Sequence, residues 1–86
     1  MNEQTVALAA QMYGCRKTVR NVLGEEKFRE AVERMRPLLK STQDKLECSQ
    51  MTATLELAKA AKPGIETAIV LASCVEIMEP SLPPAA

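Results

Sequence analysis

Tyr13 and Phe28 are the only aromatic side chains in this chain of 86 residues. A core without rings must be filled by Ala, Leu, Val, Ile and Met, and such side chains interdigitate well only between helices. Leu, Ala and Met, together with Glu, Lys and Arg, are also the better helix formers, and they dominate the sequence. An all-α fold is therefore expected, and sheet is not. A chain this short buries only about 60 to 65% of the surface that its unfolded form exposes, so its own core is thin and self-association is expected to help.

The spacing of apolar residues divides the chain into a bundle of three to four helices. Residues 3–23 read as a first helix, with Leu8, Met12, Cys15, Val19 and Val22 recurring at steps of four and three along one seam and Gly24 as its stop. Residues 25–47 read as a second, opened by Glu25 and Glu26 at the positive end of the helix dipole and lined inside by Phe28, Val32, Met35, Leu39, Thr42 and Leu46. Pro37 falls within it, and because the apolar phase runs on from Met35 to Leu39, the expectation is one helix kinked at the proline. Its outer face carries opposite charges four apart (Glu25 and Arg29, Glu30 and Arg34, Lys40 and Asp44), the pattern of a solvated surface.

A short third helix over residues 50–62, capped by Ser49 or Thr52, would turn Met51, Leu55 and Ala58 inward, with Leu57 and Ala61 beside them. Pro63 and Gly64 force a turn. Residues 65–79 then form a fourth helix, apolar nearly all round, part of which is expected to meet a second subunit. The domain is taken as residues 1–79. The tail of residues 80–86, rich in proline, is expected to be disordered.

Eleven basic and eleven acidic side chains cancel, so no global field favours nucleic acid or an anionic membrane. The chain has no histidine, and its three cysteines, Cys15, Cys48 and Cys74, show no Cys-x-x-Cys spacing. That pattern gives neither a disulfide framework nor a zinc site, and fits a reducing cytoplasm. No basic stretch followed by an apolar one opens the sequence, so no secretory signal is expected. The apolar tract of residues 68–78 is too short to span a bilayer. Without histidine the usual proton shuttle is missing, and Cys15 and Cys74 sit in apolar stretches where a thiol serves as a small hydrophobe. Glu26, Glu30 and Glu33 share a stripe, but Arg29 and Arg34 interleave with them, which suits ion pairs better than a cation. We expect no catalytic residue, no metal site and no cofactor.

What remains is binding. Tyr13, Arg16, Lys17 and Arg20 lie off the apolar seam of the first helix, and the two arginines have no acidic neighbour within that helix, so these four are the candidate partner-binding residues. Ala10, Gly14 and Thr18, spaced by four, leave a shallow strip where another backbone can approach, and with Val70 and Leu71 of the fourth helix they are the candidate contacts of a homodimer. The phrase from Leu8 to Arg20 resembles a helix-turn-helix, with Ala10 and Gly14 at the right separation. That resemblance implies an alternative role as a compact DNA-binding regulator using residues 8–23, although one residue is missing after Cys15. In size and composition, though by no motif, the chain resembles small accessory proteins of phages and mobile elements, anti-CRISPR proteins among them. The resemblance implies an inhibitor that contacts a host protein.

Overall fold

Gly24 is the one residue between the first two helices, and its φ of 86° is a backbone state that only glycine adopts without strain. In the computed structural model, which describes residues 3–82, α1 spans Glu3–Leu23 and α2 spans Glu25–Leu46. The Gly24 amide donates to the Arg20 carbonyl and its carbonyl accepts from the Phe28 amide, so the glycine ends one helix and starts the next. Helix α2 continues through Pro37 as a single element. It stops where Glu47 turns left-handed (φ 51°) and Cys48 donates back to the Gln43 carbonyl.

Ser49 caps α3, Gln50–Ala60, by accepting the Thr52 amide at 3.1 Å. The helix is shorter than expected, because Ala61 is already extended ahead of Lys62, whose conformation Pro63 restricts in turn. After the turn at Pro63 and Gly64, α4 runs Ile65–Met78 and passes into a 3₁₀ turn, Glu79–Ser81. The tail expected to be loose from Pro80 onward is thus ordered further: Leu82 donates to the Glu79 carbonyl and packs against the core. Residues 83–86 of that tail lie outside the described residues, as do residues 1–2.

Helix α4 is the axis of the bundle and touches α1, α2 and α3. Ala72, Ser73, Cys74 and Val75 are all fully buried, and four successive residues cover the whole circumference of a helix. Three of the four are small, which lets neighbours close in from every side. One cluster joins Met12, Met35, Leu39, Ala53, Cys74, Val75 and Met78; a second joins Val19, Phe28, Val32 and Ala72. The apolar excess expected to require a second subunit is thereby largely absorbed within one chain: Val70 and Leu71 are half-buried against the first cluster. Beside it the buried Thr54 hydroxyl donates to the Gln50 carbonyl at 2.8 Å, with Met78 Sδ 3.6 Å away.

Three inward assignments need correction. Val22, placed on the α1 seam, is 78% exposed, whereas Ala9 is buried and Leu23 packs on the second cluster. The buried Ala9, Met12 and Val19 set the inward direction of α1 to one side of the Leu8 seam, and at about 100° per residue that side is met by Leu23 and not by Val22. Leu46 is 50% exposed because the last turn of α2 runs beyond the core, whose last buried α2 residue is Leu39. In α3 the buried residues are Ala53 and Thr54, flanked by Met51 and Leu57, while Leu55 and Ala58 are only half-buried. The small pair lets α3 approach α4 closely, so it takes the inner face from the larger leucine.

Candidate protein-binding face

Of the four residues expected to form a basic patch, Tyr13, Arg16 and Arg20 make contacts within the chain. Arg16 reaches across to α4, where its Nη1 donates to Glu76 Oε1 at 2.7 Å and to Glu79 Oε2 at 2.6 Å, and its Nη2 donates to Glu79 Oε1 at 3.2 Å. Its guanidinium lies 5.2 Å from the centre of the half-buried Tyr13 ring. Hydrogen bonding to Glu79 is the main influence raising the Arg16 pKa, and the same bond lowers that of the Glu79 carboxyl. Arg20 is paired with Glu25 through its Nε and, at 3.0 Å, its Nη2, and lies 5.4 Å from the Phe28 ring centre. Glu25 therefore turns to Arg20 rather than to Arg29, and its pKa falls through that bond. Lys17 is exposed.

The premise of an unneutralised patch thus fails, because the acids come from α2 and from the end of α4. Glu76 and Glu79 are 60 and 63 residues from Arg16 in sequence, beyond the reach of any local pattern. The helix-turn-helix geometry is also absent: residues 8–23 lie in one unbroken helix with no turn between two halves.

The thiols are occupied structurally. Cys15 Sγ donates to the Ala68 carbonyl at 3.3 Å, Cys74 is buried, and burial raises both pKa values, which disfavours a reactive thiolate. Among the described residues no group of three or more Cys, Asp or Glu side chains could hold a metal ion. Glu26, Glu30 and Glu33 share an open surface with Arg29 and Arg34.

A different feature stands out where the C-terminal half of α1 meets the start of α4. Thr18, Val19, Val22, Leu23, Ile65, Ala68 and Ile69 line a groove of about 160 Å³ whose wall is apolar throughout. Val22 and Ile65, each 78% exposed, stand at its mouth. The groove exists because α1 ends at Gly24 while α4 begins at Gly64, bringing a last turn beside a first one. The rotation that carries Leu23 inward leaves Val22 at the rim.

The groove continues onto the outer face of α1, since Thr18 belongs to both. Ala10, Gly14 and Thr18 are all exposed, as expected of a strip open to another backbone. A methyl group added at Gly14 would meet nothing within 4 Å, so nothing inside this chain explains the glycine. Val22 itself was assigned to the interior by periodicity, and Ile65 was read only as part of an apolar helix.

Comparison with known protein families, curated proteins and solved structures finds no match for this chain. Among the described residues no helix is long and apolar enough to cross a membrane.

Proposed function

We propose that this chain is a small, non-enzymatic protein-binding module whose working surface is the apolar groove between α1 and α4 together with the adjoining outer face of α1. The observation that carries this reading is the exposure of Val22 and Ile65 on either side of a wholly apolar groove. Contiguous apolar surface on a small protein marks a contact site more often than isolated exposed side chains do. Covering this one costs little, because no charge has to be stripped of water. A second copy of the chain or a foreign protein can supply the matching surface. Size, composition and three free thiols suit an accessory or inhibitory protein of the phage and mobile-element type, acting in the cytoplasm.

The test reads protein contact of either kind. A tagged chain is expressed in cells, and its native mass in the extract is compared for the parent, for Val22→Glu with Ile65→Glu, and for Lys40→Glu on α2. The parent and the α2 variant should migrate well above the 9.4 kDa chain mass, and the groove variant should return to that mass with its helicity intact. If the groove variant keeps the parent's native mass, the groove is not the working surface.

A further inference from the structure

Gly14 is the midpoint of a ridge that is symmetric about it. Val6, Ala10, Gly14, Thr18 and Val22 follow one another at steps of four, running large, small, glycine, small, large. All five are exposed, Val6 at 46% and Val22 at 78%. From these observations we infer that the face is covered by a second copy of the same chain, in a two-fold dimer whose α1 helices cross at Gly14, an inference that rests on the protein-binding reading of this face.

The register follows from the two-fold axis. When two copies of one helix cross antiparallel at residue 14, each residue faces the one equally far on the other side, so Thr18 meets Ala10 of the second copy and Val22 meets its Val6. Ridges of residues four apart that interlock in this way cross at about −50°, the commonest packing angle between helices. Val6 and Val22 each lie about 12 Å along the axis from the crossing. Val6 of one copy therefore arrives at the mouth of the other copy's groove, between Val22 and Ile65. The chain thus carries both the apolar groove and the apolar knob that fits it.

Two further observations favour a second copy over a foreign chain. A face that packs on itself must avoid setting like charges against each other. In this register the exposed Lys17 falls opposite Gln11, and Asn21 falls opposite Ala7, so between Val6 and Val22 no charge meets its own kind. Among the described residues nothing packs on Gly14, whereas a helix crossing there gives the glycine a role: without a side chain the two helix axes can approach to about 8 Å.

The area sets the strength. Helices that cross at about −50° touch mainly around the crossing, so the shared face is small for a specific interface, and association should be of micromolar strength and depend on concentration.

Light scattering and sedimentation equilibrium on the purified chain test this. The parent should approach twice 9.4 kDa at about 100 μM and fall toward the single-chain mass well below 1 μM. Gly14→Leu fills open space in the monomer and should keep full helicity while shifting the dissociation constant at least about tenfold. Gly14→Cys, placed on the axis, should form a disulfide-linked dimer on mild oxidation, with the parent as control for its own three thiols. A parent that stays monomeric at about 100 μM overturns the inference, as does a dimer that Gly14→Leu leaves untouched. If the purified chain is monomeric while the groove variant still loses its complex in cell extract, the protein-binding reading stands and only the second copy is lost.

Discussion

The outer faces of α1 and α2 are both open to solvent, yet they are built from different chemistry. On α2 the exposed positions include the charged Glu26, Arg29, Glu30, Glu33, Arg34, Arg36, Lys40, Asp44 and Lys45, with Pro37, Leu38 and Leu46 among them, and pairs close between Glu33 and Arg36 at 3.1 Å and between Lys40 and Asp44 at 3.4 Å. On α1, between Val6 and Val22, they are Val6, Ala7, Ala10, Gln11, Gly14, Thr18, Asn21 and Val22, with Lys17 at one flank. Each α2 pair contributes only a few tenths of a kcal/mol, but covering the α2 surface would require desolvating many charges. Covering the α1 surface requires almost none. The difference teaches that two equally exposed helix faces can differ widely in what must be dehydrated to cover them.

The inner sides of the same helices are the control for this comparison, and the largest effects belong there. Met12→Ala on α1 and Leu39→Ala on α2 should each cost about 2 to 5 kcal/mol in chemical denaturation, since both side chains are fully buried in one cluster. A loss below about 1 kcal/mol at either site would show that its helix is not anchored in the core as described, and would remove the basis for comparing their outer faces.

The next effect concerns charge on α1 itself. Arg16→Ala should lower stability by about 1 kcal/mol, a figure already discounted for the solvent around Glu79, whereas Arg34→Ala on α2 should stay within about 0.5 kcal/mol. Bonding to Arg16 lowers the Glu79 pKa below its unfolded value, so this part of the stability is present above the ordinary carboxylate range and is lost as pH falls through the folded pKa. The difference in melting temperature between parent and Arg16→Ala should therefore narrow in acid, below about pH 4. An unchanged difference there would mean that Arg16 acts through packing on Tyr13 rather than through charge.

A smaller effect of opposite sign is expected at the axis of the bundle. Ser73 Oγ is buried with no hydrogen-bond partner among the described residues, so Ser73→Ala should raise stability by about 1 kcal/mol, read from the urea midpoint at constant slope. A loss instead would mean that the hydroxyl has a partner, such as a bound water. The smallest effect tests the charged face directly. Lys40→Ala should cost about 0.3 to 0.5 kcal/mol at low salt and nothing measurable at high salt. A larger loss that salt does not reduce would give α2 a structural role beyond solvation.

Sequence alone determined the number of helices and where most of them begin and turn. Glycine and proline impose local backbone constraints that need no tertiary partner, so Gly24 and the Pro63-Gly64 turn could be read directly. Ser49 as a cap is local in the same way, because its hydroxyl reaches only the next turn. The exposed strip of Ala10, Gly14 and Thr18 was legible because four-residue spacing fixes a face whatever surrounds it.

Tertiary structure alone decided which side of each helix faces inward to within a fraction of a turn, and which charges meet. Val22 at the rim of the groove and Leu23 in the core point about 100° apart on one helix, and only the position of α4 chooses which of them faces inward. Arg16 has no acid on its own helix, yet it is held by Glu76 and Glu79 because α4 packs along α1 and ends beside it. The physical reason is range. Backbone propensities and caps act within one turn of chain, whereas groove walls and ion pairs join residues far apart in sequence, and their geometry is set only once the helices have packed.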